Sequence, residues 1–195
     1  MSRVDEQDVA GGIRPPAGEP EAEPADVLVW DRFVRVFHWS LVLLFTGSHV
    51  TGDDFETLHI WIGYTIAALL AARIVWGFVG SQHARFSDFV YSPRRIGRFV
   101  RDSVRFQAPR YIGHNPAGGV MVFALLGVLI GLCVTGYLMT LDAFWANQTL
   151  EDIHEVLANV SLVLVALHVV GVVVASIEHG ENLVRSMFTG RKRAN

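Results

Sequence analysis

The sequence of 195 residues contains a single cysteine, Cys133. One cysteine excludes an internal disulfide, and it excludes the CxxCH motif through which a cofactor is covalently attached. Cys133 lies within a long apolar run, and we interpret it as a small packing residue. The sequence also shows no internal repeat, no glycine-rich nucleotide-binding loop, and no protease or kinase motif. Its chemistry must therefore come from other residue types.

Charge is absent from four long apolar runs, at 36–52, 57–72, 117–141 and 156–177. Hydrophobic residues make up 51% of the chain, which is more than a soluble domain of this size needs. A spanning helix needs roughly 20 apolar residues. The last two runs reach that length, and the first two reach it if Arg35 and Arg73 extend from the membrane edge toward the headgroups. The sequence therefore predicts an all-α integral membrane four-helix bundle, with spans at about 33–51, 57–79, 116–140 and 151–178.

One membrane domain is predicted, at 28–190. Residues 1–27 are acidic and rich in proline and glycine, which predicts a disordered tail, and 191–195 form a basic end. The connections between spans are acidic at 53–56 and 142–152 and rich in arginine at 80–115. Because cytoplasmic loops carry the excess of basic residues, both termini and the middle loop are predicted to lie on the cytoplasmic side.

The middle loop contains a segment, starting at Ser92 and Pro93, with apolar residues on one face and arginines on the other. We expect an amphipathic helix on the inner membrane surface, with a solvated basic loop as the alternative. The short outer connections make the first two spans, and the last two, antiparallel neighbours. Gly127 and Gly131 form a GxxxG pair that permits close packing within the chain or in a homodimer. Membrane lipid is an expected partner, and nucleic acid is not.

The fourth predicted span carries two histidines, His154 and His168. They are 14 residues apart (154 to 168). This spacing brings the second to within about 40° of the first and separates them by roughly 21 Å along the helix. A histidine inside a membrane is costly and marks a functional site by default. One helix thus offers a ligand at each of two levels of the bilayer.

Partners for both histidines follow from the topology. The first span runs outward and carries His38 near its inner end, at the level of His168. The second span runs inward and carries His59 near its outer end, at the level of His154. The sequence therefore predicts an inner pair, His38 with His168, and an outer pair, His59 with His154.

A competing histidine, His49, lies about 20° from the face of His38 at the outer level. We favour His59, because Gly63 one turn later clears space beside a large flat ring, and we expect His49 to hydrogen-bond at the membrane edge. The other histidines lie in the inner loop or at the end of the last span, and we expect them to be solvated. They are His83, His114 and His179.

Paired histidines suit haem iron, which accepts an imidazole nitrogen on each side of the ring. Two such ligands leave no open coordination position, so the centre transfers electrons rather than binding oxygen. The pattern predicts two haem b groups, held without thioether bonds. Their propionates need cations, and Arg35 and Arg73 lie at the inner ends of the first two spans, where one or both would neutralise the inner haem. For Arg73, extension toward lipid headgroups is an equal alternative.

Several motifs resemble the bacterial cytochrome b561 family, which includes the b-type cytochrome subunits of nickel–iron hydrogenases. They are WDRFVRVFHW in the first span, LHIWIGY and RIVWGFVG in the second, GHNPAGG before the third, and DIHE, LHVVG and ENLVR in and after the fourth. The resemblance covers about 28–193 and implies a dihaem bundle in the bacterial inner membrane that passes electrons between quinone and another redox protein. It implies the same four ligands: His38, His59, His154 and His168.

The predicted function is therefore transmembrane electron transfer between a quinone and a redox partner. Hydrogenase-type subunits usually have a further membrane helix and a longer chain, so the expected partner is a c-type cytochrome or another oxidoreductase subunit. A self-contained superoxide:quinone oxidoreductase is the alternative function, although acidic outer loops disfavour attraction of an anion. A histidine-lined metal or proton transporter is disfavoured, because the acidic residues cluster at the helix ends.

Overall fold

A computed structural model describes residues 26–52 and 55–194 of the chain. Its six α-helices are α1 (Arg32–Thr51), α2 (Glu56–Val79), α3 (Pro93–Val104), α4 (Pro116–Met139), α5 (Gln148–Glu178) and α6 (Leu183–Thr189). Single turns of 3₁₀ helix lie in the connections, at Gln82–Ala84, Phe86–Asp88 and Asp142–Phe144. The helices α1, α2, α4 and α5 are each long and apolar enough to cross a membrane. The predicted helical membrane bundle is therefore confirmed.

Side-chain caps explain where the spanning helices begin. Asp31 caps α1 by accepting a hydrogen bond from the Val34 amide at 2.8 Å, and Asn115 caps α4 by accepting from the Gly118 amide at 2.7 Å. Each cap satisfies a backbone donor that the first turn leaves free. Asn147 caps α5 in the same way, so this helix starts at Gln148, about one turn before the predicted 151.

The helices pack in a chain of pairs, with α1 against α2, α2 against α4, and α4 against α5. Between them lies an apolar core of Phe37, Ile66, Leu70, Leu126 and Leu129. By contrast, the backbones of α1 and α5 make little close contact within the described ranges. Among the described residues of α5, Ser161 is the one that is fully enclosed. A gap therefore separates α5 from α1, and the side chains at its edges are half-buried.

The GxxxG pair of α4 has two different surroundings. A Cβ atom added at Gly131 would lie 3.1 Å from Cδ1 of Leu157, so this glycine allows α4 and α5 to approach closely. Gly127 faces open space among the described residues. The pair thus serves packing within the chain at Gly131, and a homodimer at Gly127 stays a prediction.

The arginine-rich middle loop forms α3, which settles the choice between a helix and a solvated loop. Phe99 is buried against the protein, while Val104 is exposed. Four arginines at helical spacing lie on the exposed side, at Arg94, Arg98, Arg101 and Arg105. A helix with these faces is typical of the membrane interface.

A two-stranded antiparallel sheet that the sequence did not predict closes the inner end of the bundle. Strand β1 (Asp26–Leu28) pairs with β2 (Arg191–Arg193), which is part of the predicted basic end. The first strand begins inside the tail predicted at 1–27, and residues 1–25 of that tail lie outside the described residues.

Buried charges hold this sheet against the inner loop. Glu181 accepts a hydrogen bond from Arg110 at 3.1 Å, and its other oxygen lies 3.5 Å from Nζ of Lys192. Burial opposes ionisation of Glu181, but the hydrogen bond from Arg110 and the two cations outweigh it, so the pKa of Glu181 falls below its usual value. Burial also lowers the pKa of Lys192. The inner loop is thereby fixed at the start of α4 and the end of α5.

Candidate cofactor site

Two pairs of histidine rings face each other inside the bundle, at two levels. His38 of α1 and His168 of α5 have ring centroids 6.3 Å apart, with an interplanar angle of 54°. His59 of α2 and His154 of α5 have ring centroids 6.2 Å apart, with an angle of 73°. The structure thus brings together the same residues that the topology paired, and all four rings are half-buried.

The spacing within each pair fits a metal ion between the rings. An imidazole nitrogen binds a first-row metal at about 2.0 Å, and the ring centroid lies roughly 1 Å beyond the nitrogen, so two rings on opposite sides of one ion have centroids roughly 6 Å apart. Rings in direct hydrogen-bonded or stacked contact would lie closer. The separations of 6.2 and 6.3 Å therefore fit axial ligation of one iron by each pair.

The gap between α1 and α5 supplies room for a planar group around the iron. The two helices approach through their histidines rather than through their backbones. At the outer level, a Cβ atom added at Gly63 would meet no described atom within 4 Å. That open space lies one turn after His59, where the sequence predicted clearance for a large ring. The sparse backbone contact between α1 and α5, the open space at Gly63 and the paired nitrogen donors together fit haem.

Both rings of the outer pair have a fixed tautomer. Nδ1 of His59 lies 3.0 Å from the carbonyl oxygen of Ser48. A carbonyl only accepts, so Nδ1 of His59 carries the hydrogen and Nε2 keeps its lone pair. Nδ1 of His154 lies 2.7 Å from the hydroxyl oxygen of Thr135, whose own hydrogen points to the Gly131 carbonyl at 2.9 Å. His154 therefore also donates from Nδ1 and presents Nε2 to a metal.

The inner pair is held differently. Nδ1 of His38 is buried and has no hydrogen-bond partner among the described residues. Within the same part of the chain, neither ring nitrogen of His168 makes a hydrogen bond to a protein group. Packing positions these rings instead, with Trp39 edge-on to His38 at a centroid distance of 5.1 Å.

The competing histidine, His49, points away from the bundle. Its ring is exposed, its Nδ1 lies 3.0 Å from the carbonyl oxygen of Phe45, and it packs on the Phe45 ring at 4.3 Å. His49 therefore lies away from His154, whereas His59 lies beside it.

The two arginines of the inner level have different surroundings. Arg73 is only 4% exposed, donates to the Ala84 carbonyl at 3.1 Å and lies over the Phe86 ring at 5.1 Å. Its Nη1 has no partner among the described residues. The alternative prediction, that Arg73 extends toward lipid headgroups, is therefore wrong, because the side chain is enclosed. Arg35 is half-buried at the surface and donates to the Phe188 carbonyl at 2.6 Å.

Two residues of this site carried no recognisable sequence signal as neighbours of a histidine. Thr135 and Ser48 contact histidines of other helices, and only the packing of the helices brings them together.

His114, which was expected to be solvated, is half-buried against Trp30 and Phe89, with centroid distances of 4.8 and 4.4 Å.

The environment of His114 keeps its ring neutral. Burial, together with the charge of Arg73, lowers the pKa of His114 to about 3. Its Nδ1 is enclosed and has no partner among the described residues. His83 is also half-buried and lies 2.9 Å from Asp88, and His179 is half-buried at the end of α5. The expectation of solvated rings was thus wrong for His114.

A helical membrane bundle with histidines paired across it at two levels is the architecture of a membrane-bound b-type cytochrome. A family model described as prokaryotic cytochrome b561 matches residues 29–190. The chain belongs to this family, which confirms the resemblance seen in the sequence motifs. Its cofactor is accordingly haem b, and its function is electron transfer across a membrane in which it is a multi-pass protein.

Three similar proteins are each named as a probable Ni/Fe-hydrogenase B-type cytochrome subunit. The one from Rhizobium leguminosarum bv. viciae is 25% identical over 222 residues, covering 90% of this chain and 92% of the relative. That of Bradyrhizobium diazoefficiens is 23% identical, covering 95% and 94%. That of Azotobacter vinelandii is 27% identical over 154 residues, covering 63% and 64%. No solved structure matches the chain.

Proposed function

We propose that the chain binds two haem b groups, an inner one on His38 and His168 and an outer one on His59 and His154. The observation that carries this proposal is the presence of two facing histidine pairs, each with the centroid spacing of rings that share one metal ion. Each haem would supply a one-electron centre with both axial positions filled. Such a centre exchanges electrons without binding a substrate at the iron.

Arg73 is the residue that we assign to the propionates of the inner haem. It is a buried cation with one nitrogen unpartnered among the described residues, and a buried charge needs a counter-charge. A propionate carboxylate would provide it. Arg35 already donates to the Phe188 carbonyl, so of the two arginines it has the smaller part in this role.

The two centres lie at opposite levels of the bilayer, and this placement supports electron transfer across it. By the distribution of basic residues, we propose that α3 and both termini face the cytoplasm of a bacterium whose inner membrane holds the protein. The outer connection is acidic and exposed, with Asp142 in it and Trp145 at 78% exposure. A soluble redox protein with a basic docking surface would complement this face.

The expected partners are a quinone in the membrane and an oxidoreductase subunit on the outer side. The names of the similar proteins favour a hydrogenase as that subunit, while a c-type cytochrome is the other partner predicted from the sequence. The alignment with the Rhizobium relative spans 222 positions, against 195 residues here. Within the aligned region, that relative therefore has residues that this chain lacks.

Proteoliposomes test the proposed function. Purified haem-loaded protein is reconstituted with ferricyanide trapped inside, and dithionite is added outside. We expect the trapped ferricyanide to be reduced in vesicles with the protein and not in empty ones, because the two centres connect the two sides. Addition of decylubiquinol in place of dithionite tests the quinone.

Failure of the trapped oxidant to react, in protein that holds two haems, would contradict transfer across the membrane. Rapid haem reduction by superoxide without any partner protein would favour the self-contained oxidoreductase instead. Acidic outer residues oppose that outcome, because they repel an anion.

A further inference from the structure

The two histidine pairs differ in their hydrogen bonds. In the outer pair, both rings donate from Nδ1, His59 to the Ser48 carbonyl at 3.0 Å and His154 to the Thr135 hydroxyl at 2.7 Å. In the inner pair, within the described ranges, neither His38 nor His168 donates to a protein group. The difference involves two independent acceptors on two helices, α1 and α4.

An imidazole that binds iron through Nε2 can donate a hydrogen bond from Nδ1. That hydrogen bond changes the reduction potential of the bound iron. The acceptor draws the Nδ1 hydrogen toward itself, and the ring gains basicity at Nε2. A more basic ligand stabilises ferric iron over ferrous iron, so the reduction potential falls. Hydrogen bonding of this kind is one of the means by which a protein sets a haem potential.

We infer that Thr135 and the Ser48 carbonyl place the outer haem at a lower reduction potential than the inner haem, so that electron transfer inward is downhill. This inference rests on the proposed function, since it needs both haem assignments. With both haems bound, one electron would pass from the centre held by His59 and His154, which would be oxidised, to the centre held by His38 and His168, which would be reduced. No bond breaks and no proton moves. The soluble redox partner supplies the electron, and the quinone accepts it.

Thr135 is thus a positioning residue that acts through His154, and its side chain is buried. The test replaces Thr135 by valine, which keeps the shape and removes the acceptor. In a spectroelectrochemical titration of the haem-loaded protein, we expect the ratio of reduced to oxidised outer haem at a fixed potential to rise about three- to tenfold, tenfold being about 59 mV for one electron. The inner haem should titrate as before.

Matched variants separate this effect from a structural one. Thr135→Ser keeps the acceptor and should keep the wild-type potential. Thr65→Val removes a hydroxyl from α2 that bonds only within its own helix, to the Trp61 carbonyl, and should change neither haem. The same titration of His168→Ala, expected to keep only the outer haem, assigns the two potentials.

The inference is overturned if Thr135→Val leaves the outer potential unchanged or shifts both haems equally. It is also overturned if the outer haem of the wild type titrates at or above the inner one. Loss of the outer haem from both Thr135→Val and Thr135→Ala would show that the hydroxyl holds the ligand in place rather than tuning it. A wild type with fewer than two haems would instead defeat the proposed function.

Discussion

Replacing His168 by alanine removes the inner haem and leaves the outer one, so that haem content falls from about two to about one per chain. The reason is geometric, because His168 faces His38 and no other described histidine ring contacts either of them. Loss of one axial ligand from a site built by two leaves a single weak bond to iron. The measurement is haem per protein by pyridine haemochromogen, together with a reductive titration that should lose one component.

The same experiment on the other three ligands should give results that agree in pairs. His38→Ala should lose the component that His168→Ala loses, and His59→Ala and His154→Ala should both lose the other one. His49→Ala is the control and should keep both, because that ring is exposed and bonded to Phe45. If His49→Ala lost the outer haem while His59→Ala kept it, the outer pair would be assigned wrongly.

Replacing Arg73 by glutamine weakens binding of the inner haem about 10²- to 10³-fold, the equivalent of about 3–4 kcal/mol for removing one partner of a buried ion pair. Arg73 is almost fully enclosed, with Nη1 unpartnered among the described residues. Without its charge the inner propionates would be buried uncompensated. Retention of the inner haem during purification and a haem titration of the apoprotein measure the effect.

Two variants make the Arg73 prediction specific. Arg73→Lys keeps the charge and should retain most of the inner haem. Arg35→Gln should cost far less, because Arg35 is half-exposed and donates to the Phe188 carbonyl. Equal losses from Arg35→Gln and Arg73→Gln, or full retention of the inner haem in Arg73→Gln, would contradict the assignment.

The features that follow from one helix, or from the order of the helices along the chain, could be predicted from the sequence. Uncharged runs gave the four spans, since a membrane admits helices of a fixed minimum length. The spacing of His154 and His168 gave two levels, because helical geometry relates position in sequence to height and direction. The pairing with His38 and His59 followed from helix direction alone. Each of these inferences uses only one element or the order of elements.

Features that depend on how separate elements pack could not be predicted. The strand pair joins Asp26 to Arg193 across nearly the whole chain, and its short strands carry no alternating pattern to reveal them. The bond between Thr135 and His154 requires the rotation of α4 against α5, which spacing does not fix. Arg73 allowed two interpretations because a lone arginine near a span end suits either lipid or a buried anion. Its enclosure excludes the lipid alternative, and the propionate role stays a prediction.

The most direct test of the account is the haem content of the purified wild-type protein. Pyridine haemochromogen analysis against amino-acid analysis of the same sample should give about two haem b per chain, since the bundle offers two histidine pairs of the same spacing. A value of one, or none, under conditions that saturate the protein with haem would contradict the two-centre account.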